Sequence, residues 1–269
     1  MKDTMEKALR LAGNELMKHF GSKLDFAVKE SQSSIVTKAD LKSDSLITKL
    51  IEDQFPDHNI LSEESGFSNK DSKYTWVIDP LDGTSNFASA IPWFGVLICL
   101  FEGNQPLMGG AYLPVEDHLY FAQKGKGAFL NGKPVQMDLK NDLKNSLFSF
   151  CVDFTDDEAV LNNSIAIYKN LVKSTRNIRS TNCLIDFLYV SEGKFGGCIN
   201  LFTKIWDISA LGLIISEAGG IMKYVNGTDI EYGFNKNTVE QNFPVVVGSE
   251  SIVNELTMVM QTLNLKHKT

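Results

Sequence analysis

The chain has 269 residues, with 33 acidic and 26 basic side chains and a formal net charge of -7 at pH 7. Hydrophobic residues make up 43% and charged residues 22%, with 20 glycines and 7 prolines, which excludes global disorder, collagen-like repeats and low-complexity sequence. The acidic balance argues against a nucleic-acid polymer as partner, whose affinity rests on neutralising phosphates, but leaves room for an enzyme of anionic substrates, because bound cations reverse the sign of a site locally.

In chain order, Met5, Leu9, Ala12, Leu16 and Phe20 recur at spacings of three and four, which predicts a helix stopped by Gly21. The charges at Lys2, Asp3, Glu6, Lys7 and Arg10 break up any apolar leader segment. Residues 31–40 read as loop. Asp40 is placed as the cap of a second helix with Leu46, Ile47, Leu50 and Ile51 as its buried stripe, ending before Pro56. Trp76-Val77-Ile78 predicts a strand ended by Asp79-Pro80. Strands follow over 93–102, 106–113, 118–123 and 128–130, with turns at Gly103-Asn104 and Asn131-Gly132. The second half predicts a helix over 161–172, an apolar segment over 184–190 and a helix over 206–218 with Ile208, Leu211, Ile214 and Ile215 on one face, stopped by Gly219-Gly220. A strand over 244–248 and a helix over 252–263 complete the chain.

Helices and strands mix without strict alternation, so the fold class is α+β, in layers. No Pro/Gly/Ser-rich linker divides the chain, which reads as one domain over 1–269, two packed α/β halves with a boundary near 140–150. The longest apolar run, 93–101, is far below the ~18 residues of a membrane span. Cys99, Cys151, Cys183 and Cys198 are scattered without a CxxC pair, which fits buried thiols in a reducing compartment. The expected location is cytoplasmic.

The chemistry concentrates in Trp76-Val77-Ile78-Asp79-Pro80-Leu81-Asp82-Gly83-Thr84-Ser85-Asn86-Phe87. Two carboxylates as close as Asp79 and Asp82 repel each other unless a cation lies between them, and hard divalent cations take oxygen ligands. The Leu81 carbonyl offers a further oxygen. Gly83-Thr84 lets the backbone approach a ligand at a helix start, whose free N–H groups suit a phosphate oxygen, and the Thr84 hydroxyl suits orienting a water. Alone, the pentapeptide reads equally as a surface turn. Glu63-Glu64, 16 residues before Asp79, reads alone as a solvated loop, and Asp207 in Trp206-Asp207 as a helix N-cap.

Taken together, the Glu-Glu loop, the Trp76–Phe87 segment and Trp206-Asp207 running to Glu217-Ala218-Gly219-Gly220 resemble the inositol monophosphatase family of magnesium-dependent, lithium-sensitive phosphatases, in the expected order and over the full length. The resemblance implies the layered αβαβα sandwich of sugar phosphatases, usually a homodimer. It implies Glu63, Asp79, the Leu81 carbonyl, Asp82 and Asp207 as ligands of two or three Mg2+ ions. Substrate would be bound by Asp82, Gly83, Thr84, Ser85, Asn200 and Asp207. Thr37-Lys38-Ala39-Asp40 resembles the family segment whose Asp pairs with the catalytic threonine, so Glu63, Thr84 and Asp40 are implied as catalytic. Glu64 would orient water from behind, and Glu217 would be structural. The implied reaction is direct in-line attack of a metal-activated water on phosphorus. His19, His58, His118 and His267 lie outside every motif.

The expected substrate wall departs from the family pattern. Arg179-Ser180-Thr181-Asn182-Cys183-Leu184 stands where inositol-specific members carry Gly-Ser/Thr-Ala-Ala, and Asn200 stands at the sugar-binding Glu. Lys204 is near enough in sequence to meet a second anionic group, but reads first as a solvated surface lysine. A small phosphorylated molecule is the expected partner, inositol monophosphate first. Fructose-1,6-bisphosphate, a 3'(2'),5'-bisphosphate nucleotide and histidinol phosphate are the alternatives. Ser85-Asn86-Phe87 differs from the Lys-Glu-Phe common in the nucleotidases. The Asp-x-x-Asp spacing excludes an aspartyl-phosphate phosphatase, which needs Asp-x-Asp, and a non-catalytic metal-binding module is the remaining competitor.

Overall fold

Met5, Leu9, Ala12 and Leu16 are fully buried along one face of the first helix, α1 (Lys2–Met17), in a computed structural model that describes residues 1–22, 26–29, 35–139, 142–235 and 241–262. The helix ends four residues before Gly21, which instead takes a left-handed φ of 76° in the following turn. Phe20 lies beyond the helix yet joins the same core, its ring 4.9 Å from that of Phe94. A short antiparallel pair, β1 (Phe26–Val28) and β2 (Ile35–Thr37), leads into α2 (Lys38–Gln54), which stops before Pro56 as its missing N–H requires. The cap of α2 is Thr37, not Asp40: Asp40 sits at the third helical position and accepts the Thr37 N–H, while the Thr37 hydroxyl accepts the Ala39 N–H.

The first half then builds an eight-stranded sheet. Its strands are β3 (Asn59–Ser62), β4 (Gly66–Ser68), β5 (Tyr74–Asp82), β6 (Gly95–Glu102), β7 (Gln105–Leu113), β8 (His118–Gln123), β9 (Gly127–Leu130) and β10 (Lys133–Val135), and α3 (Thr84–Ala88) follows β5. The order across the sheet is β10-β9-β8-β7-β6-β5-β3-β4. Asn131-Gly132 forms the expected turn between β9 and β10, both residues with positive φ. The second half contributes β11 (Leu147–Cys151), α4 (Glu158–Ser174), β12 (Asn177–Arg179), α5 (Ile185–Ser191), β13 (Gly197–Asn200), α6 (Ile205–Glu217), β14 (Ile221–Tyr224), β15 (Val245–Gly248) and α7 (Glu250–Thr262). The five strands after β10 pair as β12-β11-β13-β15-β14. The expected helix to residue 263 is thus seen to Thr262, and residue 263 lies outside the described residues.

Strand alternation sorts the buried side chains into layers. Trp76, Ile78, Ile98 and Leu100 face α1 and α2. Val77, Leu97, Cys99 and Phe101 face the opposite way, onto α5 and α6. Those helices also cover Cys198, Val245 and Val247 of the second sheet, whose other face carries Phe148, Phe150, Ile199 and Val246 against α4 and α7. The result is the expected αβαβα sandwich. The helix α6 therefore lies between two sheets and is apolar nearly all round, as a helix buried in this way must be.

The contact of α6 with the first sheet depends on Gly109. A Cβ there would stand 2.9 Å from the Ala210 carbonyl oxygen and 3.1 Å from its Cα, so the helix backbone rests directly on β7. Gly109→Ala is expected to lower stability by about 1–3 kcal/mol in urea unfolding by overpacking this layer. It should also weaken the expected magnesium binding, measured by calorimetry, because α6 carries Asp207, one of the ligands that the resemblance implies.

Candidate metal and phosphate site

The strand β5 does not stop at Asp79-Pro80. It continues to Asp82 through a β-bulge: Asp79 pairs with Leu97 and Asp82 with Gly95, so three steps on β5 match two on β6. This resolves the odd spacing of the two aspartates. In a regular strand, residues three apart point to opposite faces. The extra residue in the bulge restores a common face, as Leu97 and Gly95 share one. Pro80 is tolerated where the ladder is already interrupted, and its carbonyl accepts the Ser43 hydroxyl of α2 at 2.7 Å. The shared face is the one covered by α5 and α6.

Three other segments converge there. The parallel partner β3 aligns Ser62 with Ile78, so the next residue, Glu63, arrives beside Asp79, its N–H bonded to the Ile78 carbonyl at 3.2 Å. Asp207 sits at the third position of α6 and accepts the Lys204 N–H at 2.7 Å. It is thus a capping residue, as its position suggested, but from inside the helix. Carboxylate oxygens of Asp79, Asp82 and Asp207 lie within 4.8 Å of one another. Each aspartate also spends one oxygen on a backbone amide: Asp79 Oδ1 accepts Leu81 N–H at 3.0 Å, and Asp82 Oδ1 accepts Leu184 N–H at 2.6 Å. The Thr84 hydroxyl reaches Asp40 Oδ1 at 3.1 Å and the Leu81 carbonyl at 3.0 Å, while Asp40 Oδ2 accepts the Thr37 N–H at 2.9 Å. Gly83 is required between them: its φ is 85°, and a Cβ would come within 2.6 Å of the Trp93 carbonyl oxygen.

A 520 Å3 cavity opens over this cluster, lined by Glu63, Asp79, Leu81, Asp82, Gly83, Thr84, Ser85, Asn200 and Asp207 among the expected site residues, and by Lys204. Asp40 touches it through Thr84 alone. Glu64 does not line it; Lys29 Nζ bonds Glu64 Oε1, and bonds Glu63 Oε1 at 2.8 Å. Lys29 carries no sequence signal, lying in a polar stretch without periodicity or motif. Asp153 and Phe154, just past the end of β11, and Phe202, Thr203 and Asn242 also line the cavity and were not foreseen. An acidic residue following an apolar run of sequence, as Asp79 follows Trp76-Val77-Ile78, was the available hint for Asp153. Asn182 adopts a left-handed φ of 54° and donates its side-chain amide to Asp153 at 2.6 Å. Glu217 lies elsewhere, accepting the Gly125 and Gly127 N–H groups at 2.7 and 2.8 Å. His58 accepts the Trp76 indole N–H at 3.0 Å outside the cavity, and His267 lies outside the described residues.

Crowding shifts these acids together. Burial, then the charges of Glu63, Asp82 and Asp207, holds the Asp79 carboxyl well above its ordinary range. Burial, then Asp82, does the same to Asp207. Burial raises Asp82 to about 7 against the opposing Leu184 amide, and raises Glu64 to about 7. Glu63 is raised mainly by burial, with Lys29 opposing. Burial pulls the Lys29 ammonium down, but Glu63 and Glu64 outweigh it and leave Lys29 above its usual value. Such a set cannot be fully ionised without a cation, and its all-oxygen donors suit a hard divalent one.

The sequence profile of the inositol monophosphatase family matches residues 1–264. The chain belongs to this family. It is 34% identical over 224 residues to the fructose-1,6-bisphosphatase/inositol-1-monophosphatase of Aquifex aeolicus, covering 81% of this chain and 84% of that one. It is also 34% identical over 224 residues to the Nus factor SuhB of Pasteurella multocida, covering 82% and 84%. Its fold superimposes on the extragenic suppressor protein suhB of Bartonella henselae with a TM-score of 0.87 at 26% identity, over 97% of this chain and 98% of that one. The inositol monophosphatase family is a phosphatase family.

Asp82→Asn should leave the fold standing, since an Asn oxygen can still accept the Leu184 N–H. Its magnesium affinity should fall on the order of a hundredfold by calorimetry, the scale of one unit charge lost a few ångströms from the cation. For pH, raised carboxyl pKa values mean that the native state keeps protons that the unfolded chain has released. The metal-free protein should therefore gain thermal stability as pH falls from about 7 towards 4. The stabilisation by magnesium should be larger at pH 7.5 than at pH 5.5, in paired melting curves with and without the ion.

Proposed function

We propose that this chain is a Mg2+-dependent phosphoric monoester hydrolase of a small polyol phosphate, with inositol monophosphate the first candidate. The observation that carries the reading is the meeting of Asp79, Asp82 and Asp207 within 4.8 Å beside the Thr84–Asp40 pair at the floor of a ligand-sized cavity. Glu63, Asp79, the Leu81 carbonyl, Asp82 and Asp207 would hold two or three ions. When bound, magnesium supplies charge neutralisation for the phosphoryl oxygens and a water of lowered pKa.

The chain's own groups do the positioning. Thr84 Oγ1 accepts a hydrogen bond from the attacking water while directing its own hydrogen to Asp40, whose carboxyl burial holds above its usual range against the opposing Thr37 bonds. Glu63 orients the water from the other side, and Glu64 acts behind it through Lys29. Water adds to phosphorus as the ester P–O bond breaks, and the leaving oxygen takes a proton, giving alcohol and inorganic phosphate. Gly83 and Ser85 meet the phosphate. Asn200 presents its amide NH2 to a ring hydroxyl, its carbonyl oxygen being used by the Phe202 N–H at 3.0 Å. Asp153, Asn182 and Thr203 add acceptors suited to a polyol. Lys204 is the wall's cation for a second anionic group, which keeps fructose-1,6-bisphosphate, a 3'(2'),5'-bisphosphate nucleotide and histidinol phosphate as alternatives.

We further assign the chain a single folding unit, its two halves meeting near 140–150, a cytoplasmic location, lithium sensitivity and a homodimeric state, from family likeness; no described helix is long and apolar enough to cross a membrane. A non-catalytic role is the second reading, favoured by the Nus factor name of the Pasteurella multocida relative. It is opposed by the intact carboxylate set. Phosphate release from the four substrates, with and without magnesium and with added lithium, separates these readings. Magnesium-dependent, lithium-inhibited release, fastest from inositol monophosphate, is expected; no release from any substrate would overturn the enzymatic reading.

A further inference from the structure

The connection between β12 and α5, residues 180–184, touches both the floor and the wall of the cavity. Leu184 N–H holds Asp82 Oδ1 at 2.6 Å, and the Asn182 side-chain amide holds Asp153 Oδ1 at 2.6 Å. Cys183 lies between them against Gly83, where an added Cβ would stand 3.1 Å from that of Cys183. One end of the loop is tied to the floor's own helix: the Thr181 carbonyl accepts the Asn86 amide of α3 at 2.9 Å. Asn182 itself is exposed and held at a left-handed φ of 54°, a conformation that a residue with a side chain keeps only where its surroundings impose it.

The group that imposes it is Asp186, in the first turn of α5. An aspartate there usually faces water beside the helix N-terminus, yet this one is 0% exposed and lines no cavity. Its Oδ1 accepts the Ser149 hydroxyl at 2.6 Å. Its Oδ2 accepts the Cys151 thiol at 3.1 Å and the Asn182 backbone N–H at 2.9 Å. A carboxyl withdrawn from water is kept only where donors satisfy it, and these come from β11 on one side and from the loop on the other. We propose that Asp186 is a positioning residue for the reaction proposed above: it fixes the backbone at Asn182, and through the loop it aims Asp153 at the substrate body and Asp82 at the cation. Asp186 reaches neither of them. What it supplies is an acceptor at a fixed place, not its charge. The role of Asp153 and Asp82 rests on the phosphatase reading, whereas the hold on the loop does not.

Three variants of the full chain test this. Asp186→Ala removes the acceptor. Asp186→Asn removes the charge and keeps the acceptor, because its amide oxygen can take the Asn182 N–H while its NH2 donates to the Ser149 oxygen. Asn182→Gly leaves the backbone in place, since glycine adopts a left-handed φ freely, and deletes only the bond to Asp153. In Asp186→Ala, hydrogen exchange at the Leu184 amide should quicken about tenfold by NMR, the scale of one lost hydrogen bond, while amides of β6 and β7 keep their wild-type rates. Its magnesium affinity by calorimetry should fall about tenfold, and KM for inositol monophosphate should rise about tenfold with a smaller change in kcat. Asp186→Asn should match the wild type in all three measurements. Asn182→Gly should raise KM without touching magnesium affinity, and added to Asp186→Ala it should raise KM no further, because both cut the same link. Equal losses in Asp186→Asn and Asp186→Ala would overturn the proposal, since a distant charge would then be acting. Wild-type exchange at Leu184 in Asp186→Ala would overturn it too. Should Asp186→Ala fail to fold, an unchanged KM in Asn182→Gly would do so alone. A wild-type chain that releases no phosphate would sink the enzymatic reading instead, and exchange and magnesium affinity would still decide whether Asp186 holds the loop.

Discussion

Mutual repulsion among buried carboxylates organises this molecule. Asp79 is buried and Asp82 and Asp207 are half-buried at the floor of the cavity, where water screens them only in part, and each is aimed by a backbone amide that holds one of its oxygens. Asp40 repeats the device, with the Thr37 amide on one oxygen and the Thr84 hydroxyl on the other. The same bond that fixes a helix start or a strand end therefore fixes the direction of a functional oxygen. Each acid thus has a structural bond besides the role proposed for it.

The geometry behind that arrangement comes from few elements. A bulge in β5 brings two aspartates to one face, the parallel neighbour β3 delivers Glu63 alongside, and the buried helix α6 closes the ring from the second half. Gly109 and Gly83 mark two of the places where backbone must approach backbone. Lys29 balances part of the charge of Glu63 and Glu64 from the short β1–β2 pair. The wall across the cavity is assembled differently from the floor. Its polar groups, Asp153, Asn182 and Asn200, come from loops and strand ends of the second half, and the Asp153 charge also acts on Asp82 and Asp207.

Much of this was legible in the chain. The strands from β6 to β9, the helices α1, α6 and α7, and the layered class all follow from periodicity, and the Trp76–Phe87 segment with Trp206-Asp207 identified the floor of the site. The rest was hidden for physical reasons. The strands β3, β4 and β13 are four residues or fewer, too short for a period to register. Asp79-Pro80 looks like the end of a strand because a bulge is defined by its partner, which a local reading does not contain. Asp40 and Asp207 resemble first caps because a capping side chain three positions inside the helix uses the same residue type. Lys29 and Asp153 reach the site through tertiary packing alone, with no motif around them.

The placement of α6 between two sheets has a bearing on synthesis. A nascent chain that has emerged only as far as residue 139 carries a sheet whose inner side chains, Leu97, Cys99 and Phe101 among them, have no cover, because the helix that shields them begins at Ile205. The cation cluster is equally incomplete until Asp207 arrives. The last-made third of the polypeptide thus both seals the first-made core and completes the proposed ligand set, so that competence for metal would coincide with the end of folding rather than precede it.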